Sequence, residues 1–553
     1  MLKDLREGSP EETYDVCVIG AGPAGLTLVA ELAPTGRKIC VVECGLEKKS
    51  PPADALREVE SRGEIRIKEE SRERVLGGAS STWAGLSAPL DGIDFAPRPY
   101  LSFPSSWPFP RAELEPHYRR IECYGFAPFD AFGEGGLSEA RHVDELSFAG
   151  GPICEKIFIA ADPPWNFGKK LRGVLDLPNI DLALGAAVTG FASSATGVSG
   201  LADVTAAKVK TISGREVSVR AKIFVIAAGG LESVRLLLAS RDTCPAGLGN
   251  ERDQVGRYLM NHPKDCFGVL ALSRPVTRLP YLFGHLKKGW AGYAGLRFGE
   301  EEQRRRGVLN SYLRFEPVFD WTDSRGVQAL VWCAKSARLM LSWWKRRQQD
   351  RLVELREWSE TGDDVNPALA GAAGLSWFRA AYEIVRDLPA VFAYAYHRLR
   401  PNVSPLVREV RLRNFMEMEP RPENRLTLSD RLDRNGVPVP VVQVSTSALD
   451  RRSLVELHRA FGEEAARLGF GTLRGDLAAA DPWPIAFDAS HHLGGARAGI
   501  DPADSVVDAN LRVHTAANLY VASGAVFPTS GCANPTYTIC ALAARLAEHL
   551  RSR

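Results

Sequence analysis

YDVCVIGAGPAGLTLVAEL, from Tyr14 to Leu32, decides the fold. Asp15 to Ile19 read as a short buried strand. Gly20, Gly22 and Gly25 follow as G-x-G-x-x-G, and Leu26, Val29, Ala30 and Ala33 then recur at helical spacing. In such a strand–turn–helix the first glycine makes the tight turn. The second admits a pyrophosphate to the backbone, and the third lets helix and strand pack closely while the helix N-terminus faces the anion. A second strand, KICVVE, ends in Glu43, where an acidic side chain suits the two hydroxyls of an adenosine ribose. The stretch therefore predicts a Rossmann-like α/β fold that binds a dinucleotide.

The 553 residues are long for one core, so two packed domains are expected. A composition 45% hydrophobic and 25% charged is that of a globular protein, and a net charge of +2 argues against nucleic acid as the main partner. Ten cysteines without a C-x-x-C suit a reducing compartment better than a disulfide scaffold or a zinc site, so no metal is expected. The charged MLKDLREGSPEETYD lacks the apolar centre of a secretory signal, and no apolar run is long enough to span a bilayer. A cytoplasmic protein is the expectation.

Three later stretches favour FAD over NAD. VLGGASSTWAG, Val75 to Gly85, can pass its small-residue backbone against a flat ring system. IFVIAAGGLESVRLL, Ile223 to Leu237, is a buried strand ending in Gly-Gly before a helix, and NLYVASG, Asn518 to Gly524, is a strand ending in small residues. Strand ends so far apart in sequence, converging on one ligand, imply a long and extended one.

Near its C-terminal end the chain carries ASHHLGGARAG, Ala489 to Gly499, and an Asn-Pro-Thr step at Asn534 to Thr536. With GAGPAG and Glu43, GGASSTWAG followed by PLDGIDF, AAGGLESVRLLLAS, and GRYLMNHP at Gly256 to Pro263, these stretches resemble the glucose–methanol–choline (GMC) family of FAD-dependent oxidoreductases. The resemblance covers nearly the whole chain. It is strongest to the branch of pyranose oxidase and bacterial sugar and polyol oxidoreductases, which WPFPRAELEPHYRRIE, Trp107 to Glu122, also suits.

The resemblance implies an α/β FAD-binding domain and a substrate domain built on an antiparallel sheet plus helices. It puts His491, in an H-x-x-G pattern closed by Gly494, beside the flavin N5, and Asn534 at the second active-site position. Thr82 stands where pyranose oxidase has the histidine that carries its flavin, so FAD is expected to be non-covalent. Gly495 departs from the Thr common in close relatives. The expected cofactor-binding set is Gly20, Gly22, Ala24, Gly25 and Glu43; Gly77, Gly78, Ser80, Ser81, Thr82, Trp83, Ala84 and Gly85; Val188, Ala228 and Gly229; and Gly524, Ala525, Asn534, Pro535 and Thr536.

Alcohol oxidation needs the hydroxyl proton removed as hydride leaves. An imidazole suits that, so His491 is assigned as base and Asn534 as hydrogen-bond donor to the developing alkoxide. A helix starting at Asn534-Pro535 would aim its N-terminus at the flavin. His492 reads as structural and, with Glu417, is carried as a candidate substrate contact. His262, in MNHP, reads as buried and structural, with cofactor positioning as the alternative.

The expected division is a cofactor domain over residues 1–265 with part of the substrate domain inserted around 100–180, a substrate domain over 266–481, and a return to the cofactor domain over 482–553. Arg411 to Asp430 reads as strand, turn, strand, Asn435-Gly436 as a hairpin turn, and Asp450 to Gly469 as a helix with Asp450 as N-cap. A helical insertion is expected over 327–400. Val327 to Trp358 and Ser376 to Arg400 read as amphipathic helices packed on the core, with a lid, a dimer contact or a peripheral membrane contact through Trp343, Trp344 and Lys345 to Arg347 as alternatives.

The function expected is oxidation of a sugar, cyclitol, aminoglycoside or other polyol, a small-molecule partner, with the electron acceptor (oxygen, a quinone or a carrier) and the oligomeric state left open. The alternatives are lyase or light-driven decarboxylase chemistry on the same scaffold, a lipid or steroid alcohol oxidase at a membrane surface, and a non-catalytic flavin-binding interaction protein.

Overall fold

A computed structural model describes residues 13–133, 148, 150–195, 201–277, 279–286, 289–336, 376–400 and 405–553. The opening stretch forms the strand Tyr14–Ile19 and the helix Pro23–Leu32. That strand is central in a parallel sheet, between Ile39–Glu43 and Glu216–Ile226. Ile180–Leu184 adds to the outside of the former and Leu519–Val521 to the outside of the latter, both parallel. Every residue of Ile39–Glu43 is buried, as a parallel strand covered on both faces requires. Glu216–Ile226 changes character midway. Its first residues alternate exposed and buried within an antiparallel meander with Ala186–Ala195 and Ala202–Thr211, and its last three are buried without interruption beside Tyr14–Ile19.

The third glycine of the motif shows why glycine stands there. A Cβ on Gly25 would lie 2.0 Å from the Gly20 carbonyl oxygen, so any side chain would push the helix off its turn. The helix Pro23–Leu32 packs against Thr536–Arg551 from the far end of the chain. Arg551 ties the pair by donating to the Glu31 carboxylate, and Arg37 by donating to the Leu550 carbonyl.

A second, antiparallel sheet orders its strands as Gly284–His285, Trp290–Phe298, Tyr312–Val318, Val407–Phe415, Lys264–Val276 and Gly471–Arg474, with Ile153–Ala161 paired to Trp290–Phe298. Its own core gathers Phe148, Phe315, Phe461 and Phe470 beneath the helix Ala448–Arg467. The expected antiparallel sheet is present, but Arg411 to Asp430 is not one hairpin. Val407–Phe415 belongs to this sheet, whereas Arg425–Leu432 pairs with Pro438–Gln443 and, through it, with Glu60–Arg62 in a third sheet. Met416 to Pro420 between them are all buried, so the segment is a crossing under the molecule's interior and not a surface turn. The Asn-Gly turn falls where expected, with Gly436 at φ 80°.

The cap of the helix Ala448–Arg467 differs from expectation. Ser447 is the N-cap and Asp450 sits three residues in, the two forming a reciprocal capping box. On the same helix His458 is buried and donates from Nε2 to Asn414 Oδ1, while its Nδ1 has no partner. Burial lowers its pKa to about 4. The unfolded chain, with an ordinary histidine, takes up the proton first as pH falls, so this group's contribution to stability is intact above about pH 6.5 and is lost toward pH 4. Between pH 7 and 4.5 the wild type should therefore lose about 2.5 kcal/mol relative to His458→Gln, read from urea unfolding of both proteins. A pH-independent difference would contradict this.

Helices Arg325–Ser336, Trp377–Arg386 and Leu388–Leu399 leave the second sheet between Tyr312–Val318 and Val407–Phe415. The helix expected over Ser376 to Arg400 is broken at Asp387, ahead of Pro389. Trp343, Trp344, the basic run after them and the Gly/Ala joint lie outside the described residues. Phe378 is 91% exposed, and Tyr382, Val385 and Phe392 on the same two helices are also exposed. Among the described residues no helix is long and apolar enough to cross a membrane. All ten cysteines are free thiols.

Candidate active site

One cavity runs along the ends of the parallel strands. Gly20, Gly22 and Ala24 line it with Glu43, Gly78, Val188, Ala228 and Gly229, and it reaches His491, His492, Gly524, Pro535 and Thr536. At the first turn there is room for a ligand: a Cβ on Gly22 would meet nothing within 4 Å. Glu43 accepts from the amides of Ala21 and Gly45, both at 2.8 Å. Burial raises its pKa, and those two amides oppose the shift. The strand ends, the open turn and the elongated cavity fit a dinucleotide laid from Glu43 to the histidines.

Not every expected cofactor residue borders this cavity. Gly25 is spent on helix packing. In the Val75–Gly85 loop only Gly78 and Ala79 reach the cavity. Gly77, at φ 96°, turns the chain, and Ser80 donates to its carbonyl and accepts from Phe167 N. Ser81 and Thr82 donate to the carbonyls of Gly78 and Ala79. Trp83 donates to the Trp165 carbonyl, and Gly85 packs on Pro164, with Ala84 between them. Ala525 is buried behind Gly524.

At the other end of the cavity the Asp488–Leu493 segment is pinned to Met260–His262. Met260 and Leu493 exchange backbone hydrogen bonds of 2.8 and 3.0 Å. Asn261 donates to Asp488 Oδ1 and accepts from the amides of His262 and Ala489. Gly494 allows the close approach: at φ 78°, its Cβ would stand 2.1 Å from the Tyr258 carbonyl oxygen. Gly495 is also left-handed, with Val234 2.7 Å from where a Cβ would be, so a side chain there needs a different local path. Asp488 also accepts from Ser490 N at 2.6 Å and from Lys68 N at 3.0 Å. Burial would raise the Asp488 pKa, but His492 and these donors hold it well below the usual carboxylate range. Ser490, just before His491, sits at φ 64°, a costly backbone for a serine that Asp488 holds in place.

His491 thereby projects its ring between two neighbours. Its Nδ1 is 2.9 Å from His262 Nδ1, and its Nε2 is 3.4 Å from Asn534 Nδ2. A hydroxyl reaching one of the latter pair is within reach of the other. The helix Thr536–Arg551 starts directly after this asparagine, with Pro535 and Thr536 on the cavity wall. His492 lines the cavity too, but its Nε2 is held 3.3 Å from Asp488 Oδ2.

Glu417 is a correction. Its side chain is fully buried and does not line this cavity: it takes both Arg98 Nη groups, at 2.8 and 2.9 Å, and the amides of Asn310 and Gly531. A carboxylate so occupied cannot contact substrate. It braces the loop Ser530–Asn534 from below.

Sequence reasoning also missed a basic cluster at the Glu43 end. Arg72, Arg74 and Arg235 line the cavity around the carboxylate of Glu232. Burial would raise Glu232, yet the three guanidiniums hold its pKa at about 2. GLESVR carried the i,i+3 acid–base pair, but Arg72 and Arg74 are joined to it only by the fold.

Residues 420–543, from the hairpin Arg425–Gln443 into the last helix, match the family model described as GMC oxidoreductase. The chain is 26% identical to the 6'''-hydroxyparomomycin C oxidase of Streptomyces lividus, over 99% of this chain and 93% of that protein. It is 24% identical to the paromamine 6'-oxidase of Streptomyces fradiae, over 97% and 91%. Its fold is similar to the crystal structure of pyridoxine 4-oxidase from Mesorbium loti, at a TM-score of 0.51 and 17% identity, covering 98% of this chain and 100% of the other. The matched residues 420–543 hold His491, Asn534 and the first half of the helix Thr536–Arg551, so the C-terminal part of the chain matches the GMC oxidoreductase model and nearly the whole chain is similar to proteins described as oxidases.

Proposed function

We propose that this protein is an FAD-dependent oxidoreductase that converts a CH–OH group of a sugar or aminoglycoside into a carbonyl. The observation that carries this reading is His491 at one end of a cavity whose other end offers Glu43 and the open Gly22 turn, with Asn534 Nδ2, next to the cavity-lining Pro535, 3.4 Å from His491 Nε2. The substrate class rests on the two aminoglycoside oxidases to which the chain is similar along nearly its full length.

Bound FAD supplies the acceptor for the hydride that leaves the carbinol carbon. Gly20, Gly22 and Ala24, with the N-terminus of the helix Pro23–Leu32, take its pyrophosphate, and Glu43 its ribose. Thr82 has only a hydroxyl to offer, which the Ala79 carbonyl already receives, so the cofactor is held without a covalent bond. At the other end His491 Nε2 takes the hydroxyl proton. The Asn534 amide donates to the oxygen as charge develops on it, which counts for most where water is excluded. The start of the helix Thr536–Arg551 puts unpaired backbone N–H groups beside the same place, favouring negative charge there. Residues 1–265, with part of the substrate domain inserted around 100–180, and residues 482–553 act together as the cofactor domain, with 266–481 covering the substrate.

The test is anaerobic mixing of holoenzyme with paromamine, glucose, myo-inositol and 1-hexanol while recording flavin absorbance. Bleaching by paromamine or another polyol is expected. Bleaching by the aliphatic alcohol alone would overturn the substrate class, and bleaching by none of the four would overturn the alcohol-oxidising reading of this site.

A further inference from the structure

His262 has no part in the steps above, yet it touches the proposed base. It is 2% exposed, and its ring stands nearly perpendicular to that of His491, with centroids 5.1 Å apart. The contact joins two nitrogens of the same kind, Nδ1 to Nδ1 at 2.9 Å, so one must carry a proton and the other must not.

The remaining contacts decide which. His262 Nε2 lies 3.2 Å from the Ser530 carbonyl oxygen, which can only accept. Nε2 therefore carries a proton. Burial lowers the His262 pKa to about 4, so near neutrality the ring has only that one. Its Nδ1 is then bare and must accept, and His491 Nδ1 must donate. A neutral His491 with its proton on Nδ1 keeps its lone pair on Nε2, the atom that faces Asn534.

We infer that His262 is a positioning residue that fixes the tautomer and ring plane of His491, so that its Nε2 is the basic atom at the site. This rests on the assignment of His491 as base. A carboxylate often orients a catalytic imidazole and also stabilises its protonated form. A neutral imidazole orients without adding negative charge. The frame is rigid: the Met260–Leu493 backbone pair and the Asn261 side chain fix both segments, and Glu417 holds the Gly531 amide next to the carbonyl that sets the His262 proton.

The experiment uses holoenzyme labelled with ¹⁵N only in histidine, the His491 signals being those lost in His491→Ala. In the wild type, a protonated Nδ1 and a bare Nε2 are expected at neutral pH. His262→Phe should shift His491 toward the other tautomer. His262→Gln should restore the original one, because its amide can donate to Ser530 and accept from His491. An Nε2-protonated His491 in the wild type, or an unchanged His491 in His262→Phe, would overturn the inference. Should His262→Phe fail to fold, the wild-type spectrum and the Gln variant still decide.

Rates of flavin reduction by paromamine add an independent readout. His262→Phe should slow reduction by about 10²-fold, while His262→Phe/His491→Ala should be no slower than His491→Ala alone. Additive losses would overturn the positioning role. Full activity in His491→Ala would instead refute the base assignment and leave the tautomer result standing, so the two failures are distinguishable.

Discussion

His491→Ala is expected to slow flavin reduction by about 10²- to 10⁴-fold, the span that general-base catalysis supplies. Cofactor content should stay near wild type, because the residues proposed to hold the dinucleotide cluster at the other end of the cavity, around Gly20, Gly22 and Glu43. Substrate affinity should change little, since the imidazole acts on a proton that moves in the transition state. Asn534 would remain and still donate to the oxygen, which is why a residual rate is expected. Stopped-flow reduction with paromamine, together with the flavin-to-protein absorbance ratio, checks both parts. An unimpaired rate would remove His491 from the mechanism, and a loss of bound flavin would make it a cofactor ligand.

Glu417→Ala is expected to destabilise the protein by about 3–5 kcal/mol, because it leaves a guanidinium buried without its counter-charge. Arg98 is held with both Nη groups on this carboxylate, and its Nε has no partner, so losing Glu417 removes both of its charge-paired hydrogen bonds. The lost carboxylate also strands the amides of Asn310 and Gly531. Since Gly531 lies in the loop that carries Asn534, activity should fall along with stability. Denaturant midpoints measure the first effect. Replacing both partners, Arg98→Met with Glu417→Met, should recover most of the stability, because the cost lies in the unpaired charge. A single variant as stable as the wild type would show that Arg98 finds another partner.

The two predictions show how unevenly the sequence speaks. The Rossmann motif, Glu43, the Asn-Gly turn and the Asn-Pro-Thr helix start were legible because each is a local device, its residues within one turn or one strand–helix unit. The pairs that matter most around the base are not local. Arg98 and Glu417 are 319 positions apart, and His262 and His491 are 229 apart. Nothing in MNHP or in MEMEP says which strand will lie beside it. In sequence, a carboxylate such as Glu417 reads alike whether it meets a substrate or a buried guanidinium. Likewise Ser80 and Trp83 looked like cofactor residues, since a small-residue loop reads alike whether it lies against a ring or against Phe167 and Trp165. Asp450 passed for an N-cap because the capping box puts an acid three residues inside the helix as well.

The packing of Pro23–Leu32 against Thr536–Arg551 has a consequence for biosynthesis. Arg551 and the Glu31 it grips are 520 positions apart. At ordinary elongation rates the ribosome needs roughly half a minute to nearly two minutes to cover that distance. Through that interval the first helix lacks the neighbour it packs against most extensively, and the nascent chain holds a Gly-rich turn without the helix that completes the pocket. The pocket is therefore completed only once the last helix has been translated. A message truncated before the last helix would yield a product without the part of the cavity wall that Pro535, Thr536 and Ile539 supply.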